Sequence, residues 1–357
     1  MNIFPFFLLR KRTPSHLGHS SKLNGSRLVV VSIFHFLLIC CLFLSCCSQR
    51  NTTKGMDVAT ISTNSTAKSE TPVFNADSAY TFIARQVAFG PRVPNTQAHR
   101  ECAAYLTSEL ERHGAILFVQ EAILTAYNGE KLNTRNIIGS FDPEKTRRVL
   151  LFAHWDSRPY ADRDANPANH RKPIDGADDG ASGVGVLLEI ARQLGSKRPG
   201  IGVDIIFFDA EDYGLPEFED GYEPDSWCLG TQFWIKNQHV PKYRAEYGIL
   251  LDMVGAKGAT FYKEFTSVRY ASQYVEKVWG TARNLGYGKF FINKNGGGVT
   301  DDHTFINEKL RIPCLDIINQ NDTGFGDYWH TLNDTMDNIS KETLKAVGQT
   351  VLEVLFN

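Results

Sequence analysis

Val149-Leu150-Leu151-Phe152-Ala153-His154-Trp155-Asp156 joins an unbroken apolar run to a histidine and an acid. A short continuous run of this kind predicts a buried strand. Val203 to Phe208 and Ile249 to Leu251 read the same way, as does Ile312 to Ile318 apart from Pro313 and Asp316. Helical stretches lie between them. Ser182 is placed to cap a helix from Gly183 to Leu194. Thr96 precedes one with Cys102, Tyr105, Leu106 and Leu110 on one face, stopped by Gly114. Ser340 caps a last helix whose inner face is Leu344, Val347, Val351 and Leu355. Strand, crossover and strand in alternation predict an α/β fold, with a central, twisted, mostly parallel sheet and helices on both faces.

The chemistry lies at the strand ends. The first strand runs into His154-Trp155-Asp156, and a Gly-rich turn with Asp178-Asp179 precedes the next helix. The second ends in Asp209-Ala210-Glu211-Asp212 and the third in Asp252. The fourth contains Asp316, with Trp329-His330-Thr331 shortly after. In open α/β sheets ligands bind beyond the carboxyl ends of the strands, so these acids and histidines should converge. Singly each motif is commonplace, since Asp and Gly cluster in turns for backbone reasons alone. Together they crowd negative charge in a way that calls for a cation. A divalent metal held by Asp, Glu and His is implied, and zinc with an open position suits hydrolysis or acyl transfer.

The remaining composition narrows the field. At 357 residues, 42% hydrophobic and 22% charged, the chain can bury a sizeable core. A formal net charge of −2 and the lack of a basic stripe argue against nucleic acid as a partner. Cys102, Cys228 and Cys314 show no paired metal spacing, so a cysteine zinc knuckle is unsupported.

Residues 1–47 differ in kind. Lys22 and Arg27 precede an apolar run from Leu28 to Leu44, followed by Ser45-Cys46-Cys47 and a polar stretch. This is an export signal. Its end resembles a bacterial lipobox, with Cys46 or Cys47 as the lipidated residue and Phe43 where Leu is usual. A membrane-spanning anchor and plain cleaved secretion are the alternatives. All three place the body of the chain in an exported compartment, as a periplasmic or outer-membrane lipoprotein on the first reading. Residues 48–73 read as a flexible tether, and 74–357 as one catalytic domain. The membrane is then a partner only through the N-terminal lipid or anchor, and a monomer is expected.

The ordered set His154-x-Asp156, Gly176-Ala177-x-Asp179, Glu211-Asp212, Leu251-Asp252 and His330-Thr331 resembles the M28 metallopeptidases, over roughly residues 74–357. Glutaminyl cyclases belong to that superfamily. Asp301-Asp302-His303, the Trp329-His330 pair and His154-Trp155-Asp156-Ser157 resemble the cyclase branch, while Asp316 stands where animal cyclases carry His. The resemblance implies a sheet of mixed direction. It also implies one zinc on Asp179, Asp212 and His330, with Glu211 as general acid/base and Asp252 and Asp301 as further catalytic residues. Trp329, Trp227 and Asp316 are candidate substrate contacts, and His154 is a candidate second-metal or structural residue. The substrates implied are peptide or protein N-termini, whose glutamine cyclises to pyroglutamate with loss of ammonia. A dizinc aminopeptidase, with His154 and Asp252 holding a second ion, is the alternative. A non-enzymatic ectodomain is the third.

Overall fold

The computed structural model describes residues 70–357. The export-signal, lipid-site and anchor readings of residues 1–47, and all but the end of the tether, lie outside the described residues. Among those described, no helix is long and apolar enough to cross a membrane.

The residues after Phe74 build an α/β domain around one six-stranded sheet. Its strands are β1 (Ile116–Thr125), β2 (Lys131–Phe141), β3 (Arg148–His154), β4 (Gly202–Phe208), β5 (Tyr247–Asp252) and, last in chain order, β8 (Cys314–Ile318). The spatial order is β1-β2-β4-β3-β5-β8. β4, β3, β5 and β8 run parallel, whereas the β1–β2 hairpin joins antiparallel to itself and to β4. The sheet is therefore mixed, as the family resemblance implies. The hairpin departs from the all-crossover pattern because it is closed by a turn at Asn128-Gly129, where Gly129 has a φ of +85°. Phe261–Lys263 (β6) and Phe291–Asn295 (β7) form a separate pair.

Strand alternation sorts the core into two layers. Val149, Leu151, Val203, Ile205, Phe207, Ile249, Leu251, Leu315 and Ile317 face one side. There they meet α1 (Ala76–Val87), α2 (Gln97–Arg112), α3 (Ala181–Ser196), α5 (Phe265–Asn284) and α7 (Lys341–Phe356). Leu150, Phe152, Ile206, Phe208 and Leu250 face the other, against α4 (Leu229–Lys236) and α6 (Asp302–Leu310). Thr96 and Ser340 cap α2 and α7 as read from the sequence. Ser182 does not cap α3. The helix starts earlier, after Gly180, and Ser182 sits in its first turn, donating to the Asp178 carbonyl and accepting from Val254 N at 2.9 Å. The hydroxyl thus ties the start of α3 to the end of β5.

The connection after β3 leads through α3 to β4 on one side. The connection after β4 leads through α4, on the opposite face, back across β3 to β5. The strand order reverses around β3, and a crevice opens beyond its carboxyl end. Gly183 sets how closely α3 approaches that end. A Cβ there would lie 2.0 Å from the Leu251 carbonyl oxygen and 2.9 Å from Ala153 Cβ. Gly280, in α5, has only the Arg283 guanidinium at 3.8 Å. Gly183→Ala should destabilise the domain by at least ~1–3 kcal/mol, whereas Gly280→Ala should stabilise it by ~0.4–1 kcal/mol through the unfolded state. Urea unfolding of the two variants reads both signs.

Candidate active site

Six segments deliver polar side chains to the crevice: the end of β3, the turn before α3, residues 209–212 after β4, the end of β5, the start of α6 and the loop leading to His330. The backbone is bent hard around it. Ala210, Cys228, Met253 and His330 all have φ between +49° and +55°, a region ordinary residues rarely occupy. Two wholly buried carboxylates hold two of these segments through backbone amides. Asp156 accepts from Glu211 N at 3.1 Å and from Asp212 N at 3.2 Å. Asp334 accepts from Asp178 N at 2.8 Å and from Asp179 N at 3.0 Å.

The convergence expected from the sequence occurs. One ligating atom each from Asp179, Asp212 and His330 lie within 4.8 Å of one another, and so do those of His154, Asp179 and Asp252. His330 Nε2 is 3.3 Å from Asp212 Oδ1 and 3.5 Å from Asp179 Oδ2. His154 Nε2 is 3.1 Å from Asp179 Oδ1 and 3.3 Å from Asp252 Oδ1. Asp179 is common to both groups. Its Oδ2 and the Oδ2 of Asp212 are buried without any hydrogen-bond donor. Orphaned carboxylate oxygens beside an imidazole fit a divalent cation, and the mixed N and O donor set fits zinc.

Above the Asp179, Asp212 and His330 group lies a small cleft with about 60 Å³ of free space, well below the ~300–1,000 Å³ usual for pockets that hold drug-sized ligands. Glu211, Asp252, Asp301, Trp227, Phe325 and Trp329 line it. The Trp329 ring stacks on the His330 imidazole with centroids 3.9 Å apart, and Phe325 meets Trp329 edge-on at 4.5 Å. Trp227 lies parallel to His330 at 6.1 Å. Gly214 makes room for that indole, since a Cβ there would come within 2.1 Å of it. Glu211 Oε1 accepts from the Cys228 thiol at 3.2 Å.

Burial, reinforced by Asp301, Asp212 and Asp302, holds the Glu211 carboxyl well above the usual range against the opposing pull of His154. Burial and then Asp252 do the same to Asp301. Asp179 is pushed up to about 6 by burial and the neighbouring Asp212. Asp212 moves the other way. Burial would raise it, but His330 and Arg158 outweigh that.

One candidate sits elsewhere than a substrate contact requires. Asp316 is wholly buried in β8 behind Asp301 and does not line the cleft, so it cannot touch a substrate there. It faces His303 Nδ1 at 3.9 Å. His154, read as a second-metal or structural residue, is buried beside Asp179 and Asp252 and does not line the cleft. Arg158, Asp162, Cys228, Phe325 and Asp334 belong to the site but escape the sequence reading. They fall in loops without hydrophobic period, where a polar residue gives no sign of its partner.

A mixed sheet with carboxylates and imidazoles at its carboxyl edge defines a metal-dependent α/β enzyme of the zinc exopeptidase type. The profile of Peptidase family M28 matches residues 136–355, and the chain belongs to that family. Its structure is similar to that of Tannerella forsythia glutaminyl cyclase, with 70% identity and a TM-score of 0.79 over 80% of this chain and 99% of that one. It is also similar to a Zn-dependent exopeptidase from Parabacteroides distasonis, with 67% identity and a TM-score of 0.80 over 81% of this chain and all of that one. Glutaminyl-peptide cyclotransferase of Bos taurus is 26% identical over 61% of this chain, and the match spans 64% of its own length.

The buried acids set how metal-free protein responds to pH. Burial raises Asp178 to about 7 and Asp302 to about 6, and the folded state therefore holds protons that an unfolded chain, with carboxylates near ~4, releases. His154, raised well above its ordinary value by Asp156, Asp179 and Asp252 despite burial, adds in the same direction. Folded protein binds the extra protons, so stability falls as pH rises from about 5 to about 8. Zinc should oppose this most at the upper end, where no ligand proton has to leave. Differential scanning fluorimetry of chelator-treated protein should give a lower Tm at pH ~8 than at pH ~5.5, with zinc reversing the order. A pH-independent Tm would contradict it.

Proposed function

We propose that this protein is a glutaminyl-peptide cyclotransferase, converting an N-terminal glutamine of peptides or proteins to pyroglutamate and releasing ammonia. The observation that carries this is the narrow cleft roofed by Trp329 and Phe325 directly over the Asp179, Asp212 and His330 group, with Glu211 and Asp301 in its wall. It has room for one side chain next to a proton carrier. The likeness to the Tannerella forsythia cyclase supports the same reading. The export signal read in residues 1–47 supports action outside the cytoplasm.

Asp179, Asp212 and His330 would hold the zinc, which when bound would supply Lewis-acid chemistry at a carbonyl. The rest is done by protein side chains and by the substrate itself. The glutamine side chain enters against Trp329 and Phe325. Its own α-amine, which titrates near ~8, attacks the γ-carbon in its neutral form. The ring C–N bond forms as the amide C–N bond breaks. Glu211 takes the proton that the amine gives up and delivers it to the departing nitrogen, which leaves as ammonia. Asp301 and Asp252 line the same wall and orient the amine. No water nucleophile is required.

One ion per chain is proposed. The His154, Asp179 and Asp252 group favours the second reading, a dizinc aminopeptidase, because it could hold another. Glu211→Gln should keep zinc and lower cyclisation by ~10²–10⁴-fold. Full cyclisation in that variant would exclude Glu211 as the proton carrier. Metal analysis of active protein should find one zinc, while two would favour the aminopeptidase.

A further inference from the structure

Arg158 is a buried cation to which the cyclisation chemistry assigns no role. It follows the His154-x-Asp156 motif by two residues and has no exposed surface. A buried guanidinium is tolerated only when its donors are met, since the desolvation cost is several kcal/mol. Its donors divide between two carboxylates. Nε donates to Asp162 Oδ1 at 2.8 Å and Nη2 to Asp162 Oδ2. Nη1 donates to the Asp212 carbonyl at 3.0 Å and stands 3.4 Å from Asp212 Oδ1. The flat of the group covers Trp227, with Cζ 4.6 Å from the ring centroid. Asp162 Oδ1 is in turn 3.4 Å from His330 Nδ1.

We propose that Arg158 is a positioning residue that sets both Asp212 and His330 for the metal and holds Trp227 as a wall of the cleft. The proposal rests on the reading of Asp179, Asp212 and His330 as the ligands. Asp212 has two oxygens. Arg158 holds Oδ1, the oxygen 3.3 Å from His330 Nε2, and so fixes the carboxylate plane, while Oδ2 is buried without a donor. Asp162, fixed in place by the fork of Arg158, faces His330 Nδ1 at 3.4 Å, with Nε2 turned toward Asp179 and Asp212. A carboxylate behind a metal-binding histidine does this in general, and its loss typically costs ~10–100-fold in metal affinity. Lysine cannot replace the guanidinium, because an ammonium offers a point charge where the site needs a planar fork and a stacking face.

The test compares full-length protein with Arg158→Lys, Asp162→Asn and Arg148→Lys. Arg148 is a useful control, being another buried arginine paired with a carboxylate, Asp204, but at the far end of β3 and β4. Zinc affinity is read by competition with a chromophoric chelator, alongside the Tm of metal-free protein and KM and kcat for a glutaminyl peptide. Arg158→Lys and Asp162→Asn should each weaken zinc binding ~10–100-fold, and Arg158→Lys should also raise KM as Trp227 loses its backing. Arg148→Lys should lower Tm while leaving zinc affinity within threefold of wild type, a margin of roughly 0.7 kcal/mol. Asp162→Asn is nearly isosteric and carries the test should Arg158→Lys fail to fold. Unchanged zinc affinity in Arg158→Lys or Asp162→Asn overturns the proposal. So does an equal loss in Arg148→Lys, which would reduce the effect to stability. Wild-type protein that binds no zinc would instead remove the ligand reading itself, before any variant is compared.

Discussion

Crowding of carboxylates at the carboxyl edge of β3, β4 and β5 is the constraint on which the site depends. The acids buried there include Asp156, Asp178, Asp179, Asp212, Asp301, Asp302 and Asp334, each at most 4% exposed. In water their mutual repulsion would be small, but in a low-dielectric interior it is large. The fold meets it in three ways. Asp156 and Asp334 each accept two backbone amides, which turns a liability into a clamp on the neighbouring ligand loop. Arg158 offsets Asp162 and Asp212. Asp179 and Asp212 each keep a buried oxygen without a donor, beside His330, where a divalent ion can bind.

How much of this the sequence shows depends on whether a residue's role is local. β3, β4, β5 and β8 are legible because central parallel strands are buried on both faces and so read as apolar runs. The caps of α2 and α7 are legible because a side chain meets a backbone amide two or three residues away. Both strands of the β1–β2 hairpin pass unnoticed, since one edge of the sheet is half exposed and Lys131 to Asn136 mixes polar with apolar residues. Its Asn128-Gly129 turn is the signal that could have found it. Ser182 misleads because it resembles a cap while its hydrogen bonds reach β5, 72 residues on.

The site divides along the same line. Glu211, Asp212 and Asp179 are readable because strand ends mark them. Asp316 reads as a substrate contact because an acid in an apolar strand invites a function. The structure gives it Asp301 and His303 as neighbours instead. Arg158 and Asp162 are not readable, because what defines them is a contact with Asp212 and with His330, 54 and 168 residues away respectively. Phe325 and Trp329, which roof the cleft, lie in a loop after β8 whose sequence has no period.

Following the mass of the product when wild-type protein meets a Gln-Ala-Ala peptide tests the central claim most directly. A single product lighter by one ammonia is expected, with ammonia appearing at the same rate. Free glutamine and an Ala-Ala fragment would contradict it, because they require a water molecule to attack where the cleft is built for the substrate's own amine.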